Sequence, residues 1–176
     1  NLSKEQWQPL VPVIKEGGLI PFMDIAYQGF GDSIEEDAYA IRLFAESGLS
    51  FFTSNSFSKN LSYYGERAGG LSAVCVNAEE AERVLGQLKL TIRKMYSSPA
   101  YHVATVTANV VNEAELRALW EGEVNEMRDR IKAMRQKLYD VLTAKVPSND
   151  FSYLIKQRGM FSYTGLTGEQ VDTLRE

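Results

Sequence analysis

Apolar positions along the chain follow two different spacings, and the alternation between them predicts the fold. Leu19, Ile20, Phe22 and Met23 stand in a short run broken only by Pro21 and ending at Asp24, the pattern of a strand covered on both faces. Leu49, Phe51, Phe52 and Thr53 predict a second buried strand, and residues 71–76 a third. Helical spacing fills the intervals. Residues 3–16 predict a helix with Ser3 as its cap, Gln6 at the capping-box position and Gly17-Gly18 as its stop, made irregular by Pro9 and Pro12. Asp32 is placed to cap a helix reaching about Ser47, whose apolar face is Ala38, Ile41, Leu43 and Phe44, with Gly48 ending it. Asn77 leads into a helix over residues 78–95. Strands alternating with helices imply an α/β fold with a mainly parallel sheet and flanking helices.

From Glu113 the pattern changes. Leu116, Trp120, Val124, Met127, Ile131, Met134, Leu138 and Val141 recur every three or four residues, which predicts one long helix over residues 113–146, ended by Pro147 and Asn149. Its stripe reads as a packing face and carries no assigned chemistry. Residues 151–155 and 160–163 then look like two strands of a smaller α+β unit, and residues 169–176 like a helix.

Composition narrows the function. The 176 residues are 44% hydrophobic and 24% charged, which fits a folded chain with a real core and no need of disulfide or metal staples. A net charge of -4 and the lack of any Lys/Arg cluster argue against nucleic acid as a partner. No apolar run approaches the roughly 20 residues that cross a bilayer. Cys75 and His102 are the only cysteine and histidine, so no internal disulfide and no Cys/His metal site is expected, and a reduced, cytoplasmic setting fits best, an organellar one remaining open. Neither residue is assigned a role. The chain begins with Asn1 rather than Met and ends inside a predicted helix, so it is expected to be incomplete.

In open parallel sheets ligands bind beyond the carboxyl ends of the strands, so the loops after the first two strands carry the candidate chemistry. The first holds Asp24, Ala26, Tyr27 and Gln28; the second holds Ser54, Ser56, Ser58, Lys59, Tyr64, Glu66 and Arg67. An amine, a carboxylate and several phosphate donors are the groups a pyridoxal phosphate site requires, although a lysine and an acid on loops are ordinarily just solvated.

The wording of the motifs adds weight. Asp24-Ile25-Ala26-Tyr27-Gln28-Gly29, then Ser56-Phe57-Ser58-Lys59-Asn60 and Glu66-Arg67-Ala68-Gly69, in this order and separation, resemble the aspartate aminotransferase family of fold-type I pyridoxal phosphate enzymes. The likeness continues through Ile92-Arg93-Lys94-Met95-Tyr96-Ser97-Ser98-Pro99, Asp150-Phe151-Ser152 and Gly159-Met160-Phe161-Ser162, and so covers essentially the whole chain. It implies that Lys59 forms the Schiff base with pyridoxal 5'-phosphate and shuttles the substrate proton. It further implies that Asp24 holds the pyridine nitrogen protonated, that Tyr27 hydrogen-bonds the phenolic oxygen, and that Ser56, Ser58 and Arg67 bind the phosphate. Arg93 matches the arginine that reaches the neighbouring subunit's site and pairs with a dicarboxylic substrate, which implies a homodimer with shared active sites. No metal is implied.

Under the same resemblance, residues 1–112 are the second half of the large cofactor domain, 113–146 the interdomain helix and 147–176 the start of the small domain. The family's glycine-rich phosphate loop, ring-stacking aromatic residue and α-carboxylate arginine lie outside this stretch, so the isolated chain is expected to be inactive, with unpaired sheet edges and one uncovered face. Ser62, Tyr63 and Ser98 depart from the family's commonest residues and bear on substrate fit more than on cofactor binding. The expected reaction moves an amino group from aspartate or glutamate to a 2-oxo acid. Aromatic amino acids are the alternative substrates, and a non-catalytic structural module with the long helix as its interface is the alternative of another class.

Overall fold

Proline at position 9 divides the first predicted helix into α1 (Lys4–Trp7) and α2 (Leu10–Glu16), since it has no N–H to donate into a continuing helix. The computed structural model describes residues 2–175; Glu176, the last residue of the predicted terminal helix, lies outside them. The Ser3 N–H donates to Gln6 Oε1 at 2.8 Å, the capping-box contact read from the sequence.

β1 (Phe22–Ile25) begins later than its apolar run, leaving Leu19 and Ile20 exposed ahead of it. It pairs in parallel with β2 (Phe51–Ser56), Asp24 standing opposite Ser54. β3 (Gly69–Val74) lies on the other side of β2 and runs antiparallel to it, Ser56 opposite Gly69. The α/β class therefore holds, but the parallel relation stops at β2. Residues 57–68 contain no helix to carry the chain across the sheet, and without a crossover the next strand returns in the opposite sense.

One face of this sheet is covered. Phe44, Leu49 and Phe51 form its buried core, with Trp7, Val11, Ile14, Met23 and Ile41 packed around them. Trp7 meets Phe44 edge-on at 5.9 Å, and Phe44 meets Phe51 in the same way at 6.0 Å. Burial of each phenylalanine contributes roughly 2 kcal/mol. The other face is open among the described residues: Phe22, stacked on Phe52 at 6.3 Å, is 63% exposed. Among the described residues β1 is thus an edge strand with one covered side, the unpaired edge and uncovered face expected of these strands alone.

The predicted helix after β1 starts later than read. Asp32 does not cap it; a 3-10 turn (Glu36–Ala38) leads into α3 (Tyr39–Glu46). Asp37 instead organises the preceding loop, its Oδ2 accepting from the N–H groups of Gly29 (2.8 Å) and Gly31 (2.9 Å) and its Oδ1 from that of Asp32 (2.9 Å). One carboxylate thereby satisfies three donors that no regular ladder reaches. At the far end of α3, Gly48 takes φ +70° as the predicted stop.

α4 (Ala78–Met95) starts where the sequence places it, with Asn77 Oδ1 accepting from the Glu80 N–H at 2.9 Å. The helix that follows, α5 (Tyr101–Asn112), is absent from the sequence reading. The long helix is present as α6 (Ala114–Lys145), of which Val124 and Arg135 are buried. The two strands expected after it are not formed: residues 153–156 make the short helix α7 (Tyr153–Lys156), and residues 160–163 are an irregular segment. Asp150 accounts for the helical turn, since its Oδ1 accepts from the Ser152 N–H at 2.8 Å in an Asx turn. Leu154 is buried at this turn. The chain closes with α8 (Gly168–Arg175).

Gly29 has φ +99°, and a Cβ there would lie 2.6 Å from Val124 Cγ1, whereas Gly48 has positive φ but open space around it. Gly48→Ala should cost about 1 kcal/mol from backbone strain alone, and Gly29→Ala about 1–3 kcal/mol more from the added overpacking against α6. Denaturant midpoints of the two variants check this; equal costs would remove the steric role of Gly29.

Candidate active site

Because β1 and β2 run the same way, the loops that leave them open on one rim, and because β3 runs back, the residues before it join that rim. Asp24, in β1, accepts a hydrogen bond from Ser54 Oγ of the neighbouring strand at 2.6 Å, which fixes its carboxylate against the sheet. Tyr27 follows in the loop, its ring edge-to-face with Phe161 at 5.3 Å. The ammonium of Lys59 stands over the same ring, 4.6 Å from its centroid. A phenol and an amine thus meet from two loops, with the acid in β1 just before the first of them.

Lys59 sits in a tight turn after β2. The Leu61 N–H donates to the Phe57 carbonyl at 3.2 Å, and the Phe57 N–H donates to the Ala68 carbonyl at 3.1 Å across the mouth of the loop. Its neighbours Ser58 and Asn60 are both buried. Asn60 Nδ2 reaches the Gln28 carbonyl at 3.4 Å, tying the two loops together, while the Asn60 carbonyl accepts from Trp120 Nε1 of α6 at 2.6 Å. The lysine is therefore held from both sides along its backbone, and its side chain extends over the Tyr27 ring.

Ser56 ends β2, and its Oγ accepts from the Ser58 N–H at 3.2 Å, which leaves the hydroxyl hydrogen free to donate outward. Arg67, exposed, takes φ +56° and donates to the Tyr64 carbonyl at 2.9 Å within its own loop. It borders a cavity of about 550 Å³ that Phe57, Gly69, Tyr96 and Val103 also line. Asp24 and Tyr27 border a second cavity, of about 300 Å³, with Asp32, Tyr39 and Arg158. Arg93 is not joined to this group: it lies exposed on the last turn of α4, its guanidinium bound to Ser97 Oγ. Of the seven residues singled out from the sequence, six collect at the rim and Arg93 stands apart.

The sequence reading missed two contributors. Phe161 comes from the irregular segment after α7 to pack on Tyr27, and Arg135 of α6 holds that segment. Its guanidinium donates to the carbonyls of Gln157 (2.7 Å), Gly159 and Phe161 (2.7 Å). Burial among neutral carbonyls lowers the pKa of this guanidinium from its ordinary value. The available signal was periodicity, since Arg135 lies eleven residues after Val124, three helical turns along the same face.

The donor set at the rim fits pyridoxal phosphate: a fixed carboxylate for the ring nitrogen, a phenol beside an amine, and two hydroxyls with a guanidinium for phosphate. Comparison with known proteins agrees. The model for aminotransferase class I and II matches residues 1–176. Over 176 residues the chain is 57% identical to an aromatic-amino-acid aminotransferase of Escherichia coli, covering all of this chain and 44% of that protein. It is 54% identical to an aspartate aminotransferase of Pseudomonas aeruginosa, over 99% of this chain and 44% of that one. The solved structure of an aromatic-amino-acid aminotransferase from Burkholderia pseudomallei, covalently bound to pyridoxal phosphate, superposes with a TM-score of 0.96 at 54% identity, covering 100% of this chain and 44% of that one. The chain spans somewhat under half the length of the relatives it matches, and with its whole length matched by the family model it belongs to the aminotransferases of class I and II.

Proposed function

We propose that the whole protein is a pyridoxal phosphate-dependent aminotransferase that moves an amino group from a dicarboxylic amino acid to a 2-oxo acid. The observation that carries this reading is the placement of the Lys59 ammonium 4.6 Å from the centre of the Tyr27 ring, on the rim that also holds Asp24. Relatives named for aspartate and for aromatic amino acids both match the full chain, so aromatic substrates form the second reading of the same site. Residues 1–112 are assigned to the cofactor domain, 113–146 to the interdomain helix and 147–176 to the start of the small domain.

Pyridoxal phosphate, when bound, supplies a carbonyl that condenses with amines and a ring that accepts the electron pair left when an α-proton departs. Lys59 Nζ is the amine that would hold that carbonyl, and as a free amine it would take up the substrate's α-proton and give it back. The Asp24 carboxylate, oriented by Ser54 Oγ, holds a proton on the ring nitrogen. The Tyr27 phenol would donate to the ring's oxygen. Ser56, Ser58 and Arg67 anchor the phosphate, Arg67 by a fork of N–H donors. Arg93 binds the distal carboxylate of a substrate in the partner subunit's site, which makes the homodimer a functional requirement. Its separation from the rim within one chain is consistent with that role.

Two outcomes test this. Lys59→Ala in the whole protein should abolish amino transfer from aspartate, measured by release of oxaloacetate, and unaltered turnover would overturn the assignment. Arg93→Leu should lower kcat/KM for aspartate by about 10- to 100-fold, the loss expected for a hydrogen-bonded charge pair, while kcat/KM for phenylalanine changes far less. Equal losses on both substrates would remove the carboxylate-binding role.

A further inference from the structure

Residues 157–163 form a closed loop built around one buried charge. Gln157 Nε2 donates to the Tyr163 carbonyl at 2.9 Å and the Tyr163 N–H returns a bond to Gln157 Oε1 at 2.7 Å, which pinches the loop shut. The Arg135 guanidinium fills the ring so made, satisfying the carbonyls of Gln157, Gly159 and Phe161. Gly159 turns the backbone inward with φ +91°. Arg135 is 8% exposed, and no ion pair of the described residues includes it. Its partners are backbone carbonyls of one loop, so its charge serves to shape that loop.

The loop projects two side chains toward the candidate active site. Arg158 pairs with Asp32, which also faces Lys132 of α6 at 3.5 Å, so the loop is fastened to the segment following Tyr27. Phe161 is 68% exposed and yet meets the Tyr27 ring at 5.3 Å with an interplanar angle of 80°. So slight a burial cannot hold a phenylalanine in place on its own; its backbone position is set by the carbonyl that Arg135 holds.

We propose that Arg135 is a positioning residue for the Tyr27 and Lys59 pair, acting through residues 157–163 by presenting Phe161 to the Tyr27 ring. This rests on the reading that Tyr27 and Lys59 serve pyridoxal phosphate. A lysine at position 135 keeps the charge but lacks the planar fork needed to reach three carbonyls at once. A leucine at position 161 removes the aromatic edge and leaves Arg135 with all its partners, so it does not depend on Arg135 for folding.

The test is a double-mutant cycle in the cofactor-loaded whole protein, using Arg135→Lys, Phe161→Leu and the two combined. The visible absorption and circular dichroism of the bound cofactor are followed together with kcat, KM and thermal midpoint. Arg135→Lys and Phe161→Leu should shift the visible band in the same sense, and each should lower kcat/KM by about tenfold, the scale of a small misplacement at a reacting centre. Adding Arg135→Lys to Phe161→Leu should change kcat/KM by less than about twofold further, because the two act along one path. If Arg135→Lys lowers only the thermal midpoint and leaves the visible band unmoved, or if its effects add fully to those of Phe161→Leu, the proposal fails while the site reading stands. A wild-type protein with no cofactor band would overturn the site reading and this proposal with it.

Discussion

Two strands that run the same way deliver their following loops to the same side, and the parallel pairing of β1 with β2, Asp24 against Ser54, is the constraint on which the site depends. The 2.6 Å hydrogen bond from Ser54 Oγ to Asp24 Oδ1 crosses that pairing, so the register also sets the direction of the acid. A slip of one residue would turn Asp24 to the opposite face of the sheet and carry Tyr27 away from Lys59. The antiparallel return of β3 completes the rim, since only a strand coming back begins where β2 ends, and it sets Gly69, two residues after Arg67, opposite Ser56.

α6 then ties the rim to the rest of the chain at three levels along its axis. Trp120 holds the backbone next to Lys59, Val124 fills the space against Gly29, and Arg135 binds the loop that bears Phe161. Chain segments 60 residues apart, such as Trp120 and Asn60, are thereby held in one frame. The helix contributes no chemical group of its own to the rim, yet three of its side chains determine where the chemical groups stand.

Much of this was legible in the sequence because the signals are local. Asn77 announces α4 by its own side chain, Gly48 closes α3 by its φ, and the three- and four-residue spacing predicts α6 nearly to its ends. The six rim residues were legible because they stand in motifs shared with a family, which fixes their order along the chain though not their distances. The failures share a physical cause, namely that a distant partner decides the outcome. Asp32 looks like a helix cap, but its carboxylate is drawn to Arg158 and Lys132, and Asp37 takes over the loop's free N–H groups. Residues 151–155 and 160–163 carry the aromatic content of strands, yet one segment is turned by Asp150 and the other is held by an arginine rather than by a neighbouring strand. Arg93 shows the reverse, since its motif is plain while the contact its guanidinium makes in this chain is a local one, with Ser97 Oγ.

The central claim is that Lys59 is the amine toward which the rim is built. Incubating the whole protein with pyridoxal phosphate, reducing with borohydride and locating the pyridoxyl group by peptide mass spectrometry tests it directly. A single adduct on Lys59, against the background of the other lysines, is the result this account predicts. Labelling scattered over surface lysines such as Lys94 and Lys137, with Lys59 no more reactive than they are, would contradict it.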